Sequence, residues 1–388
     1  MNEPSRTPPS GSGIRKATAM LGTVTIIALA AYAARDIGFS SDEVSAAEAT
    51  AWRALAPSAD ATTAAKGFLD ALDAKQKEKA AFEFASERKP AWSNLPTSFV
   101  PRNGVRMGDL SPEQRTKAMA VVAAVLSKEG YQKVVDIVAG DQMLAEGKGG
   151  GGGKGGGKDG KGGDKGGKGG KGGGKGGGTM FGAAEYYLAI FGTPSETKPW
   201  MVQFGGHHLG VNVTIIGKHF VLTPTHTGAQ PGLFKRDGKD VRPLGQEYDA
   251  GFKLMGALDD KQRKQAIIGE RPMNLLLGPG QDGKKIEPKG VKGSDLTADQ
   301  QKLLLDVIAA WITIGEPEAA AARMEEIKGT ITDTYFAWSG PTAPGSAAYF
   351  RVQGPTLVIE YAPQGGNDHI HTVIRNPKDD YGAALLTK

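Results

Sequence analysis

The chain has 388 residues and no cysteine, which excludes disulfides, thiolate metal ligands and a cysteine nucleophile. Histidine is scarce as well. There are six, and none lies before position 207. The sequence also lacks a Gly-x-Ser-x-Gly elbow, a His-Glu-x-x-His pair and a Walker loop, which argues against the common serine hydrolases, zincins and P-loop enzymes. Glycines are abundant in GGHHLG and GQDGKK, yet neither stretch has the spacing of a dinucleotide fingerprint after a strand. Outside one tract the chain has no excess of positive charge. Residues 147–178 hold eight lysines and two aspartates, so they carry +6 of a formal net +5 and leave the rest of the chain at −1. The basicity therefore belongs to a low-complexity insert, and nucleic acid is not an expected partner.

Long apolar runs are limited to one. Arg15 and Lys16 precede Ala17–Ala34, which ends in Ala-Tyr-Ala and has the n-region and h-region of a secretory signal. Residues 1–50 are read as a signal peptide or N-terminal anchor with a flexible segment, cleaved or retained as a marginal membrane anchor. This predicts an extracytoplasmic location, secreted, periplasmic or membrane-anchored, with membrane contact through the N-terminal segment. The Gly/Lys tract, with 22 glycines in 32 residues, cannot bury enough surface to offset its ordering entropy. It is expected to be a disordered surface loop with no specific partner.

What the chain does contain is a repeat. ALDAKQKEKA (71–80) matches ALDDKQRKQA (257–266) at an offset of 186, which also carries GDLSPEQ onto SDLTADQ and VVAAVL onto VIAAWI. A second set, YLAIFG on YFAWSG and MVQFGGHHLGV on YFRVQGPTLVI, continues at an offset of 148. The offsets differ by 38, of which the tract supplies 32, so the tract interrupts the first of two related halves. The halves span 60–230 and 247–388. Each opens with an ALDxKQ helix and a Gly/Pro-rich loop. A second helix follows with a capping box, Ser111 with Gln114 and Thr297 with Gln300. Period-two strands come next: 186–191, 200–204 and 207–216 in one half, 350–352, 356–361 and 369–374 in the other. The expected fold class is α+β: two homologous helix-plus-antiparallel-sheet halves, related by internal duplication and paired about a pseudo-two-fold axis.

The histidines fall on these strands. With a strand beginning at His207, that side chain shares a face with Leu209, Val211 and Val213, whereas His208 shares the other with Gly210 and Asn212. His207 is expected to pack and hydrogen-bond, and His208 to enter an open site. His369 and His371, spaced i, i+2, leave one face together with Val373 and Arg375, a way to present two nitrogens to one ion. His208, His369 and His371 form the expected metal set, with His207 beside them and Glu360 as fourth ligand or support. The set suits zinc, copper, manganese or iron. The competing reading is that these histidines hydrogen-bond backbone and carboxylates where the halves meet.

GGHHLGVNV, TPTHTGAQP, YFRVQGPTLVIEY and HIHTVIRNPKDDYG together resemble a bacterial and fungal domain-of-unknown-function family of the 3500 series, from about residue 60 to the C-terminus without the Gly/Lys tract. The family's motifs fall on His207, His208, Glu360, His369, His371, Arg375, Asp380 and Tyr381. The resemblance implies an exported or lipoprotein-like protein and no particular activity.

Two classes of function fit. One is an exported metal-dependent hydrolase or oxidoreductase acting on a small or polymeric extracytoplasmic substrate. There the ion activates water or an oxidant, Glu360 or Asp380 relays protons, and Arg375 orients an anionic group. The other is a non-enzymatic cell-envelope protein that binds metal or ligand.

Overall fold

The computed structural model describes residues 60–147 and 181–386. The expected export signal, and all of the Gly/Lys tract except Gly147, lie outside the described residues.

Helix ends are set by short polar side chains. Asp60 accepts from Thr62 and Thr63 to start α1 (Ala61–Asp70), and Asp73 with Gln76 forms a reciprocal capping box on α2 (Ala74–Ala80). The first half continues through β1 (Ala81–Phe82), β2 (Val105–Arg106), α3 (Pro112–Ala124) and α4 (Lys128–Ala145). Its strands are β3 (Tyr187–Phe191), β4 (Trp200–Gly205), β5 (Leu209–Ile216), β6 (His219–Val221) and β7 (Thr225–Ala229). A small hairpin, β8 (Phe234–Arg236) with β9 (Lys239–Val241), precedes the second half. That half contains α5 (Gly245–Ala257), α6 (Asp260–Ala266), β10 (Ile267–Gly269), β11 (Val291–Lys292), α7 (Ala298–Ile312) and α8 (Pro317–Lys328). It ends with β12 (Tyr335–Ser339), β13 (Tyr349–Gly354), β14 (Leu357–Pro363) and β15 (Ile370–Arg375).

The cap glutamines also join helices. Gln76 and Gln114 exchange amide hydrogen bonds, and Gln114 donates to Ala71 O at 2.8 Å. Gln262 and Gln300 are paired with each other, and Gln300 donates to Ala257 O at 2.8 Å. Ser111 and Thr297 cap α3 and α7 as the sequence predicts. The helices α4 and α8 were not anticipated. Ser127 caps the first, and the second begins with Glu316 as cap and Pro317.

Thirteen strands form one mixed sheet, in the order β1-β3-β4-β5-β7-β15-β14-β13-β12-β10, with β2, β6 and β11 pairing alongside. The parallel pairs are β1 with β3 and β10 with β12, at the two ends of that path. At its centre β7 runs antiparallel to β15, from Ala229 opposite Ile370 to Thr225 opposite Ile374. The fold is thus mixed α+β with one large sheet, and the two segments of chain meet at this seam.

Alternation along the strands separates two faces. One carries Leu188, Ile190, Trp200, Val202, Val211 and Val213 into a core with α1, α3 and α4, while Phe336, Trp338, Phe350 and Ile359 join α5 and α7 in a second core. The reverse face is polar near the seam, with Gln203, Asn212, His226, His371 and Glu360 all buried. The face on which His208 is expected to find an open site is instead covered by loops. Gln203 donates to Lys89 O, Gln353 to Ile286 O, and the Glu360 carboxylate accepts from two backbone amides of the 270–290 loop. Buried polar side chains need such partners, and the loop backbones supply them.

Candidate metal centre

The strand expected from His207 begins instead at Leu209, opposite the end of β4. Gly206, His207 and His208 form the hairpin turn, closed by Gly206 N donating to Leu209 O at 2.9 Å. The two imidazoles therefore do not leave opposite faces of a strand. Their ring centroids lie 3.9 Å apart, on the same side of the turn. His369 and His371 reach the same place from the start of β15. The Nε2 atoms of His208 and His369 are 3.2 Å apart, and those of His369 and His371 are 3.0 Å apart. Each of His207, His208, His369 and His371 offers a ligand atom within 4.8 Å of the others, so the cluster could hold a metal ion. A tetrahedral ion with nitrogen bonds of about 2.0–2.1 Å sets its ligands about 3.3 Å apart, close to the two short separations.

The far sides of the rings decide which nitrogens are free. His208 Nδ1 sits 2.5 Å from Asp141 Oδ1, both groups being fully buried, and Tyr186 donates its hydroxyl to Asp141 Oδ2 at 2.6 Å. Donation from Nδ1 to the carboxylate leaves the lone pair on Nε2, facing the cluster, which is the arrangement that orients metal-bound histidines. Burial pushes the pKa of the Asp141 carboxyl up, but the neighbouring His208 and the hydrogen bonds outweigh it, so the group is held below its usual value. His371 Nδ1 lies 3.0 Å from the Asn94 side-chain amide. The atom facing it is Asn94 Nδ2; exchanging the oxygen and nitrogen of that amide, which have the same shape, would let Nδ1 donate and turn the Nε2 lone pair to the cluster. His207 Nδ1 is buried without any hydrogen-bond partner. A buried imidazole nitrogen left unpaired beside three converging rings fits a site built for a cation.

Burial, with repulsion from His208, pushes His207 down to about 3 and His369 down to about 4. Burial pushes His371 well below its ordinary value, with His226 and His208 adding to the effect. The rings are therefore neutral at neutral pH, as metal ligation requires. They also make the metal-free protein acid-sensitive. The unfolded chain takes up protons near pH 6.5 that the folded cluster refuses, so stability is complete above that value and falls as the pH drops toward 4. Chelator-treated protein is expected to unfold at distinctly lower denaturant concentration at pH 5.5 than at pH 7.5. Equal midpoints would contradict the neutral, buried state of these rings.

Three further expected site residues are placed elsewhere. Glu360 accepts from Leu276 N at 2.9 Å, Leu277 N at 2.7 Å and Tyr349 Oη at 2.7 Å, so its oxygens anchor a loop and it is not among the four-residue ligand group. The carboxylate expected from Glu360 is supplied by Asp141, behind His208. Arg375 donates to Leu277 O, Gly278 O, Asp282 and Asp380. Its guanidinium is committed to tying the 276–282 loop to the C-terminal segment rather than to orienting an anion. Asp380 accepts from Arg375 and from Asn376 N within the same clamp. Tyr381 links that clamp to Trp92, whose indole donates to Tyr381 Oη at 2.9 Å. The other two histidines also separate. His219 is exposed on β6, whereas His226 is buried and bonded through Nδ1 to Thr372 O at 2.7 Å.

Asp141, Tyr186 and Asn94 were not anticipated. One signal for Asp141 was available: with Val134, Ile137 and Val138 it completes an i, i+3, i+4, i+7 stripe, which places a carboxylate on the buried face of α4. Asp141→Asn is expected to leave the fold intact and to weaken metal binding about 10- to 100-fold. Competition against a chromophoric chelator measures this, and unchanged affinity would remove Asp141 from the centre.

The chain is thus a mixed α+β protein with a buried four-histidine cluster, backed by a carboxylate, that could hold a metal ion. It belongs to the family described as "Protein of unknown function (DUF3500)", whose model matches residues 55–383. Neither a curated protein nor a solved structure shows significant similarity to it.

Proposed function

We propose that the histidine cluster is a divalent transition-metal centre in an exported protein. The observation that carries this reading is the meeting of His208, His369 and His371 through Nε2 while Asp141 fixes the opposite nitrogen of His208. Nitrogen ligands suit zinc, copper, manganese or iron, and the geometry does not select among them. Export rests on Arg15, Lys16 and the apolar segment 17–34.

As to activity, the reading is a metal-dependent hydrolase or oxidoreductase with three histidine ligands. It is favoured by His369, the one partly exposed member of the cluster, which gives the centre a solvent side. When bound, the ion would supply Lewis acidity or redox chemistry. The chain's own residues fix the ring orientations and exclude water from the His208 side. The second reading, non-enzymatic metal binding in the cell envelope, is favoured by His207, whose nitrogen makes a fourth protein ligand available and would saturate a tetrahedral ion. Elemental analysis of the purified protein, with His208→Ala and His369→Ala alongside, tests the centre itself. Metal-free parent protein would overturn it. X-ray absorption at the metal edge then separates the two roles: three nitrogens with an oxygen support the enzyme, four nitrogens the binding protein.

The proposed internal duplication is supported by the repeated capping boxes, the paired glutamines and the mirrored strand order about the β7–β15 seam. The histidines are not part of what repeats, since in the sequence alignment of the halves His207 and His208 fall on Pro355 and Thr356.

A further inference from the structure

A cavity of about 390 Å³ lies beside Val125 at the end of α3, among residues of β5, β6, α7, α8, β15 and the segment after it, and none of the six histidines lines it. Its size falls within the range of small-molecule sites. Val213, Phe220, Ile312 and Ile374 give it an apolar wall. The polar groups on it are mostly occupied. Arg323 pairs with Glu326 and donates to Thr356 O, Glu316 caps α8 by accepting from Ala319 N, and Asp379 accepts from Ala384 N. Two lining groups are left over. The buried hydroxyl of Thr223 has no hydrogen-bond partner, and among the described residues no carboxylate engages the exposed ammonium of Lys378.

From this combination we infer that the cavity is a binding site for a small amphipathic carboxylate, with an apolar body against the Val213–Ile374 wall and its anionic head at Lys378. The head is placed at Lys378 alone: Arg323, the other lining cation, is paired with Glu326, while the carboxylates of Glu316 and Asp379 are turned to backbone amides. The apolar wall selects the body, since burying methylenes there is favourable whereas a sugar or a nucleotide would lose hydration without replacement hydrogen bonds. The site is independent of the metal centre, and its occupancy does not rest on that reading.

Isothermal titration of the full chain with octanoate, decanoate and decanol, below their aggregation concentrations, tests the assignment. One equivalent of decanoate is expected to bind, and each buried methylene should tighten affinity about fourfold, so that decanoate exceeds octanoate by roughly 15-fold. Lys378→Gln should weaken decanoate at least fivefold and leave decanol unchanged, and Ala319→Trp should abolish binding of both by filling the cavity. Metal content should be the same in all variants. Absence of binding to the parent chain would overturn the site, as would Ala319→Trp binding like the parent. Decanol binding as tightly as decanoate, with no effect of Lys378→Gln, would overturn the carboxylate assignment. Lys378 is exposed, so its replacement keeps the test decisive even if Ala319→Trp fails to fold.

Discussion

His371→Ala is expected to lose the metal ion and with it about 4 kcal/mol of stability, the contribution of a ligand present at about a thousand times its dissociation constant. For a chain of this size that corresponds to an unfolding temperature lower by on the order of 10 °C. Chelation of the parent protein should produce a drop of the same size, and chelator should then have no further effect on the variant. The comparison separates ligation from packing. His371 is nearly fully buried, so its truncation also leaves a cavity and strands the Asn94 amide. If the variant is destabilised while the parent is indifferent to chelator, the ring is a packing element and the metal reading fails.

The second large effect is expected at Gly228, in the middle of β7. A Cβ there would lie 2.8 Å from His208 Cδ2, 3.1 Å from His371 Cδ2 and 3.0 Å from Ile370 O. A methyl group would therefore push against two rings of the centre at once, with the backbone of β15 closing the remaining direction. Gly228→Ala is expected to weaken metal affinity by at least tenfold, because displacement of either ring spoils a geometry that nitrogen ligands must satisfy to within a few tenths of an ångström. It should also destabilise the metal-free fold by about 1–3 kcal/mol, the usual cost of overpacking. Metal titration of Gly228→Ala beside the parent decides the matter. Equal affinities would show that the rings are not held by this contact.

Much of this arrangement is legible in the amino-acid sequence, and the reasons are local. Ser111 with Gln114 and Thr297 with Gln300 announce helix starts because capping is a matter of four consecutive residues. His369 and His371 share a face because strand alternation is a property of the chain itself. The misreadings arise where neighbours distant in sequence decide. His207 and His208 continue an alternating pattern, yet the β4–β5 turn ends only at Leu209, so the pair sits in the turn and its rings lie side by side. Glu360 has the right face and the wrong task, since nothing in its own strand foretells that Leu276 and Leu277 will bring their amides to it. Asp141 is 67 residues from His208, and only the packing of α4 against the hairpin turn reveals the pair.

The seam between β7 and β15 has a consequence for timing. Half of the cluster comes from the turn before β5 and half from the last twenty residues, with 161 positions between His208 and His369. Neither pair of histidines makes a site alone, so the cluster works as a coincidence detector that is completed only when both segments have docked along the seam. A chain still being synthesised, or one cut before residue 369, lacks two of the four histidines of the cluster. On the proposed metal reading, loading would come last, and the ion acquired would be chosen by the metals available in the compartment where folding finishes.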